Sequence, residues 1–221
     1  MTTAVIGRIL ATSLYQAISE HLPLRVEFYE SWLSPKGFTA RRVYLSGVRA
    51  VFSFLRREEV GYDAIVRRAG DLAANWLFDD LPPLRRRLML ALPRGLRMRA
   101  ALSLARSFVK EIWSQSEVKV RSGREASTVT ITGSIFCDLR AAAPDGLCGF
   151  YAAGLEAILG RLSLDGDVHI DACAAQGGGV CRLAITAAPS RAGVGAAAVV
   201  LAVLLAGGAP APARAQAPAS T

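Results

Sequence analysis

The chain has 221 residues, 52% of them apolar and 20% charged, which suits one globular domain with an appendage and excludes an intrinsically disordered protein. Four cysteines in a chain of this length do not make a disulfide framework, and the N-terminus does not read as a signal peptide, so a reducing cytoplasm is expected. The net charge of +8 is matched by the segment Leu81 to Lys110 alone, which holds eight basic residues and no acid.

Ile6, Leu10, Leu14 and Ile18 recur at four-residue steps and predict a helix up to His21, which Pro23 ends. From Arg25 to Gly37 the pattern is divided. Val26 and Phe28 alternate as in a short strand, and Pro35 to Gly37 read as a turn. A second helix is expected from Phe38 to Arg57, with Val43, Gly47, Ala50, Val51 and Phe54 on its apolar side. A third runs from Val60 to Asp79, with Ile65, Ala69, Leu72 and Trp76 in one stripe, until Pro82 and Pro83 stop it.

A short helix from Leu84 to Leu92 precedes Pro93, which opens another that reaches Trp113. In that helix Ala101, Leu104, Ala105, Phe108 and Ile112 form the apolar side. The arginines of this region read either as a patch for phosphate, nucleic acid or anionic lipid, or as a solvated helical face. The solvated face is the expectation here, because no aromatic interleaving or recognition motif accompanies the basic residues.

The period then changes from helical to two. Val118 and Val120, a turn at Ser122 to Arg124, and Val129, Ile131 and Ile135 predict a hairpin with one buried face. Pro144, Asp145 and Gly146 break the chain before a helix from Leu147 to Leu162, whose stripe is Tyr151, Gly154, Leu155, Ile158 and Leu162. A second hairpin follows, with Val168 and Ile170 on one strand, a glycine loop at Gln176 to Gly179, and Leu183 and Ile185 on the return. The expected fold is α+β: N-terminal helices, then a four-stranded antiparallel sheet in the order hairpin, helix, hairpin, covered by helices.

The runs TGSIFC, PDGLCGFYAAGLEAIL and VHIDACAAQGGGVCRLAIT resemble the 4-vinyl reductase-like domain. That domain occurs in bacteriochlorophyll-synthesis proteins, in the sensor modules of phenol- and toluene-responsive activators, and distantly in vesicle-tethering subunits. The stretches YDAIVRRAGDLAANWLF and SEVKVRSGREASTVTITGS are similar to an uncharacterised family abundant in myxobacteria with the same architecture. The likeness is tight over Cys137 to Ile185, looser from Val60, and poor over residues 1–57. It divides the chain into an N-terminal helical extension (1–57), an α+β domain (58–188) and an apolar Ala/Pro-rich tail (189–221).

The resemblance implies a domain, often dimeric, that encloses an apolar or aromatic ligand. It also implies a zinc ion held by three cysteines and a carboxylate. Cys148, Cys173 and Cys181 stand at the three cysteine positions; no upstream acid matches, so Cys137 or Asp138 would complete the set. Thiolates suit tetrahedral zinc, and only the folded chain would bring these four together. Parity is against one of them, since Cys173 is out of step with Val168 and Ile170. Four reduced cysteines packed as small apolar side chains are the competing reading.

Trp76, Phe108, Ile112, Tyr151, Gly154, Leu155 and Ile158 are the candidates to line a pocket between helices and sheet. The sequence shows no GxGxxG motif opening a helix and no phosphate-binding loop, so no nucleotide cofactor is expected. The functional expectation is a non-catalytic sensor or carrier that signals through a protein partner and does not bind nucleic acid. A tetrapyrrole 4-vinyl reductase and an empty dimerisation scaffold are the alternatives.

His169 and His21 read as non-ligands, and Glu156 as a surface acid. In the tail, Val194 to Ala206 gives 13 continuous apolar residues. As a helix these reach roughly 20 Å, short of a bilayer core of roughly 30 Å. A weak membrane anchor over 192–209, a disordered extension, and a segment joined by a reading error are the three readings of it.

Overall fold

The computed structural model describes residues 5–33, 43–58, 61–123, 126–137 and 146–187. The tail readings, Asp138, and the turns placed at Pro35–Gly37 and Pro144–Asp145 lie outside these. A two-residue strand β1 (Val5–Ile6) pairs antiparallel with β2 (Val43–Tyr44). Between them come α1 (Arg8–His21), a 3-10 turn at Pro23–Arg25, and α2 (Val26–Glu30). Then follow α3 (Leu45–Leu55), α4 (Tyr62–Asp79), α5 (Pro83–Ala91) and α6 (Arg94–Ile112). Next are β3 (Glu117–Arg121), β4 (Ala126–Thr132), α7 (Gly149–Arg161), β5 (Gly166–Ala172) and β6 (Cys181–Ala187).

The four long strands form one antiparallel sheet in the order β3-β4-β6-β5. Its register aligns Val120 with Val129, Val129 with Leu183, and Leu183 with Ile170. Since side chains alternate across a strand, these residues share one face with Val118, Ile131, Ile185 and Val168. Helix α7 crosses beside β5 and α6 beside β3, so this face is the floor of the core. The expected α+β architecture is present.

Helices α4 and α7 form the central helical pair, and α1 lies against α4. The pair approaches closely because both carry glycine at the crossing. A Cβ at Gly70 would stand 2.1 Å from the carbonyl oxygen of Phe150, and one at Gly154 would stand 2.4 Å from the Phe108 ring. This two-sided packing explains why α4 buries more than one stripe. Val66, Ala73, Ala74 and Phe78 are buried beside Ile65 and Ala69, whereas Leu72 and Trp76 are only half-buried.

Among the described residues of 1–57, Leu10, Leu14, Ile18, Tyr29, Val51, Phe52 and Leu55 are fully buried in the same core as the sheet. The compact unit they belong to spans Met1–Ala188. Residues 26–30 are helical rather than extended, with Tyr29 and Leu33 turned inward. Helix α3 starts seven residues later than expected, at Leu45, and buries Val48, Val51, Phe52 and Leu55, a different face from the one the periodicity suggested.

Salt bridges tie the early helices to the rest. Arg68 on α4 holds Glu20 on α1 at 2.6 Å, and Arg67 on α4 holds Glu156 on α7 at 2.7 Å. Glu58 accepts hydrogen bonds from both Tyr29 and Arg25 at 2.6 Å. None of the helices among the described residues is long and apolar enough to cross a membrane.

Candidate metal centre and adjoining cleft

Cys137, Cys148, Cys173 and Cys181 converge at one end of the sheet, and their sulfur atoms all lie within 4.8 Å of one another. Each arrives from a different local structure. Cys181 begins β6, opposite Ile131. Cys148 is the residue before the first turn of α7, and its carbonyl accepts from the amides of Tyr151 and Ala152. Cys137 follows β4 after Gly133, whose φ of +70° bends the chain off the sheet.

Cys173 resolves the parity objection. The register of β5 against β6 shifts between Ile170, opposite Leu183, and Ala172, opposite Arg182. That β-bulge inserts one residue into β5, so the alternation reverses and Cys173 turns to the side of Cys181. The loop between them returns through Gly177 (φ +95°) and Gly179 (φ +68°), conformations that glycine adopts without strain.

Cys137 lies 3.4 Å from Cys148, 3.4 Å from Cys173 and 3.3 Å from Cys181, and Cys148 lies 3.6 Å from Cys173, sulfur to sulfur. Two backbone amides point at the cluster: Leu147 donates to Cys173 Sγ at 3.3 Å and Ala174 donates to Cys181 Sγ at 3.5 Å. Hydrogen bonds from the Cys137, Cys148 and Cys181 thiols and from the Leu147 amide hold the Cys173 thiol well below its ordinary range. Cys148 is pushed up, first by its contacts with Cys137 and Cys173 and further by burial. Cys137 is also held below its ordinary range, first by its hydrogen bond with Cys148. Four sulfurs at roughly 2.3 Å from a tetrahedral zinc stand about 3.8 Å apart, so the donor set and its spacing fit zinc.

Two tyrosines, Tyr62 and Tyr151, flank the thiols. Burial raises the pKa of both hydroxyls, and the charges of neighbouring cysteines add to it. Arg56 lies 6.0 Å from the Tyr62 ring and partly offsets the effect there.

A cleft of about 390 Å³ opens beside the cluster. Its apolar lining includes Leu45 and Trp113, and its polar lining Arg49, Gln115 and Ser134. Cys137 and Ala174 belong to its wall as well, so cleft and thiol cluster share a boundary. Sequence reasoning missed this site, because its residues come from the start of α3, the end of α6 and the turns beside the cysteines, and none of those segments carries a motif.

The pocket candidates taken from helical stripes lie elsewhere. Phe108, Ile112, Tyr151, Leu155 and Ile158 are buried core residues, Gly154 meets the Phe108 ring, and Trp76 is half-buried; none of them lines the cleft. The space among them is filled by stacked rings, with Phe136 and Phe150 centroids 4.7 Å apart and Phe108 and Phe150 centroids 5.7 Å apart. Glu156 is engaged by Arg67. His169 is exposed on β5 and His21 sits in the last turn of α1. Neither histidine belongs to the buried core of the described residues.

No family model matches the sequence, and no curated protein matches it. Solved structures do share its fold. An unliganded Fe(II) H-NOX protein from K. algicida, solved as a point mutant, superposes with a TM-score of 0.56 at 12% identity over 84% of this chain and 98% of its own. An H-NOX protein from S. oneidensis in the Fe(II)NO ligation state gives 0.53 at 12% identity, over 83% of this chain and 100% of its own. The phenol-responsive sensory domain of the transcription activator PoxR, with phenol, gives 0.50 at 13% identity, over 72% of this chain and 81% of its own.

The resemblance to the 4-vinyl reductase-like domain is corrected by these findings: the folds that match over most of both chains are H-NOX proteins. The motifs behind it, a glycine-spaced helix and a cysteine-bounded hairpin, report how the fold is built and do not identify a family. The reductase alternative gains no support from the described residues.

Proposed function

We propose that this chain is a small-molecule sensor or carrier module whose ligand occupies the cleft beside Cys137, with a zinc ion on Cys137, Cys148, Cys173 and Cys181 bracing the cleft wall. The observation that carries this reading is the shared boundary of cleft and thiol cluster at Cys137. The fold likeness adds to it, because the neighbours include a domain solved with phenol and proteins solved with Fe(II) and NO. The cleft favours a ligand with an aromatic or aliphatic body against Trp113 and Leu45 and a polar group within reach of Arg49, Gln115 or Ser134.

The test is metal analysis and native mass spectrometry of protein purified without added zinc. One equivalent of zinc and a retained or titratable small aromatic are expected. A metal-free protein overturns the brace, and a dimer that takes up no small molecule overturns the sensor in favour of a scaffold.

A further inference from the structure

We propose that the corner formed by α5 and the start of α6 docks on an anionic phospholipid membrane surface. Helix α5 buries only Met89. Leu84 is 78% exposed and Leu88, one turn on, is 64% exposed, with Ala91 continuing the same outward stripe. Leu90 and Leu96 are also exposed, so the corner presents several large apolar side chains to water. Scattered single leucines on a surface are ordinary, but a stripe of them on one short helix is not.

The charge around the stripe selects the occupant. Arg85 and Arg87 are exposed within α5 itself, and Arg99, Arg106 and Lys110 are exposed along α6. Arg86 is turned back to Asp79, Arg97 donates to the Leu162 carbonyl and Lys110 donates to the Ser114 carbonyl, so Arg85 and Arg87 are the exposed cations beside the leucines of α5. Leucines interleaved with arginines on one face match a bilayer interface, where the apolar side chains enter the acyl boundary and the guanidinium groups meet phosphates. An acidic protein groove would need the same charges, but a two-turn helix with exposed leucines at i and i+4 requires no complementary pocket to be buried in lipid.

The full chain is sedimented with vesicles of phosphatidylcholine alone and of phosphatidylcholine with phosphatidylserine, at low and high salt. Binding to the phosphatidylserine vesicles is expected, weakening with salt. Partitioning should fall about fivefold for each of Arg85→Gln and Arg87→Gln, in proportion to the attraction of one basic residue to an anionic surface. Leu84→Gln/Leu88→Gln should abolish binding while the thermal melt is unchanged, since both side chains are exposed. A Leu88→Trp reporter should shift its emission to the blue only with the anionic vesicles. Equal binding of the leucine variant, no preference for phosphatidylserine, or binding to poly-glutamate with none to vesicles each overturns the proposal. The leucine variant retains residues 189–221, so vesicle binding driven by that segment would survive the substitution and be recognised.

Discussion

Gly154 on α7 faces Gly70 on α4 so closely that a Cβ on Gly154 would lie 3.3 Å from the Gly70 carbonyl oxygen. Each glycine also presses on a further group, the first on the Phe108 ring and the second on the Phe150 backbone. The crossing fixes where α7 begins, and therefore where Cys148 stands.

Gly70→Ala should destabilise the protein more than Gly154→Ala. The obstacle at Gly70 is backbone, 2.1 Å away, while at Gly154 it is an aromatic ring edge. Overpacking costs of about 1–3 kcal/mol are the expected scale, with Gly70 at or beyond the upper end. Urea unfolding monitored by circular dichroism measures both.

Cys173→Ser should abolish stoichiometric zinc and lower the melting temperature of the metal-loaded protein. Chelator added to the unmodified protein should reproduce that lower melting temperature and have little effect on the variant. Cys137→Ser serves as a comparison, because its thiol is the most exposed of the four and touches the cleft. Differential scanning fluorimetry with and without chelator reads all of these.

Phenol and benzoate are suitable probes of the cleft. Each should change the emission of Trp113, and Arg49→Gln should weaken benzoate more than phenol, because only benzoate carries a full negative charge. Loss of one charge-assisted hydrogen bond corresponds to about 1.5–3 kcal/mol, tenfold or more in affinity. Fluorescence titration of the two ligands against both proteins provides the comparison.

The Glu20–Arg68 pair makes a pH-dependent contribution of known sign. The hydrogen bond from Arg68 lowers the Glu20 carboxyl from 4.5 to about 2, so the stabilisation is full above the ordinary carboxylate range and disappears as pH falls toward 2. Both side chains are substantially exposed, which limits the effect to less than about 1 kcal/mol. Melting temperatures of the unmodified protein and Glu20→Gln should differ slightly at pH 7 and converge at the acid end.

Much of the architecture was legible because it rests on local pattern. The helical spacing from Tyr62 to Ile112 and the alternation at Val118–Val120, Val129–Ile131 and Leu183–Ile185 all correspond to observed elements. Cys173 shows where pattern reading fails: a bulge reverses side-chain facing without any residue that marks it, so parity counted from Val168 gave the wrong side. The stripe of Phe108 and Tyr151 is buried, as its apolar periodicity implies, but periodicity does not tell whether the buried space is empty. The cleft was invisible for another reason. Leu45, Trp113 and Ser134 are brought together only by tertiary structure, and singly each is unexceptional.

The order β3-β4-β6-β5 puts the strand synthesised last in the middle of the sheet. Until Ala187 has cleared the ribosome, β4 offers an open hydrogen-bonding edge and β5 has no neighbour, so the nascent chain must wait with half a sheet unmade. Translation stopped before Cys181 should therefore yield a sticky, chaperone-dependent fragment rather than a shortened but folded domain.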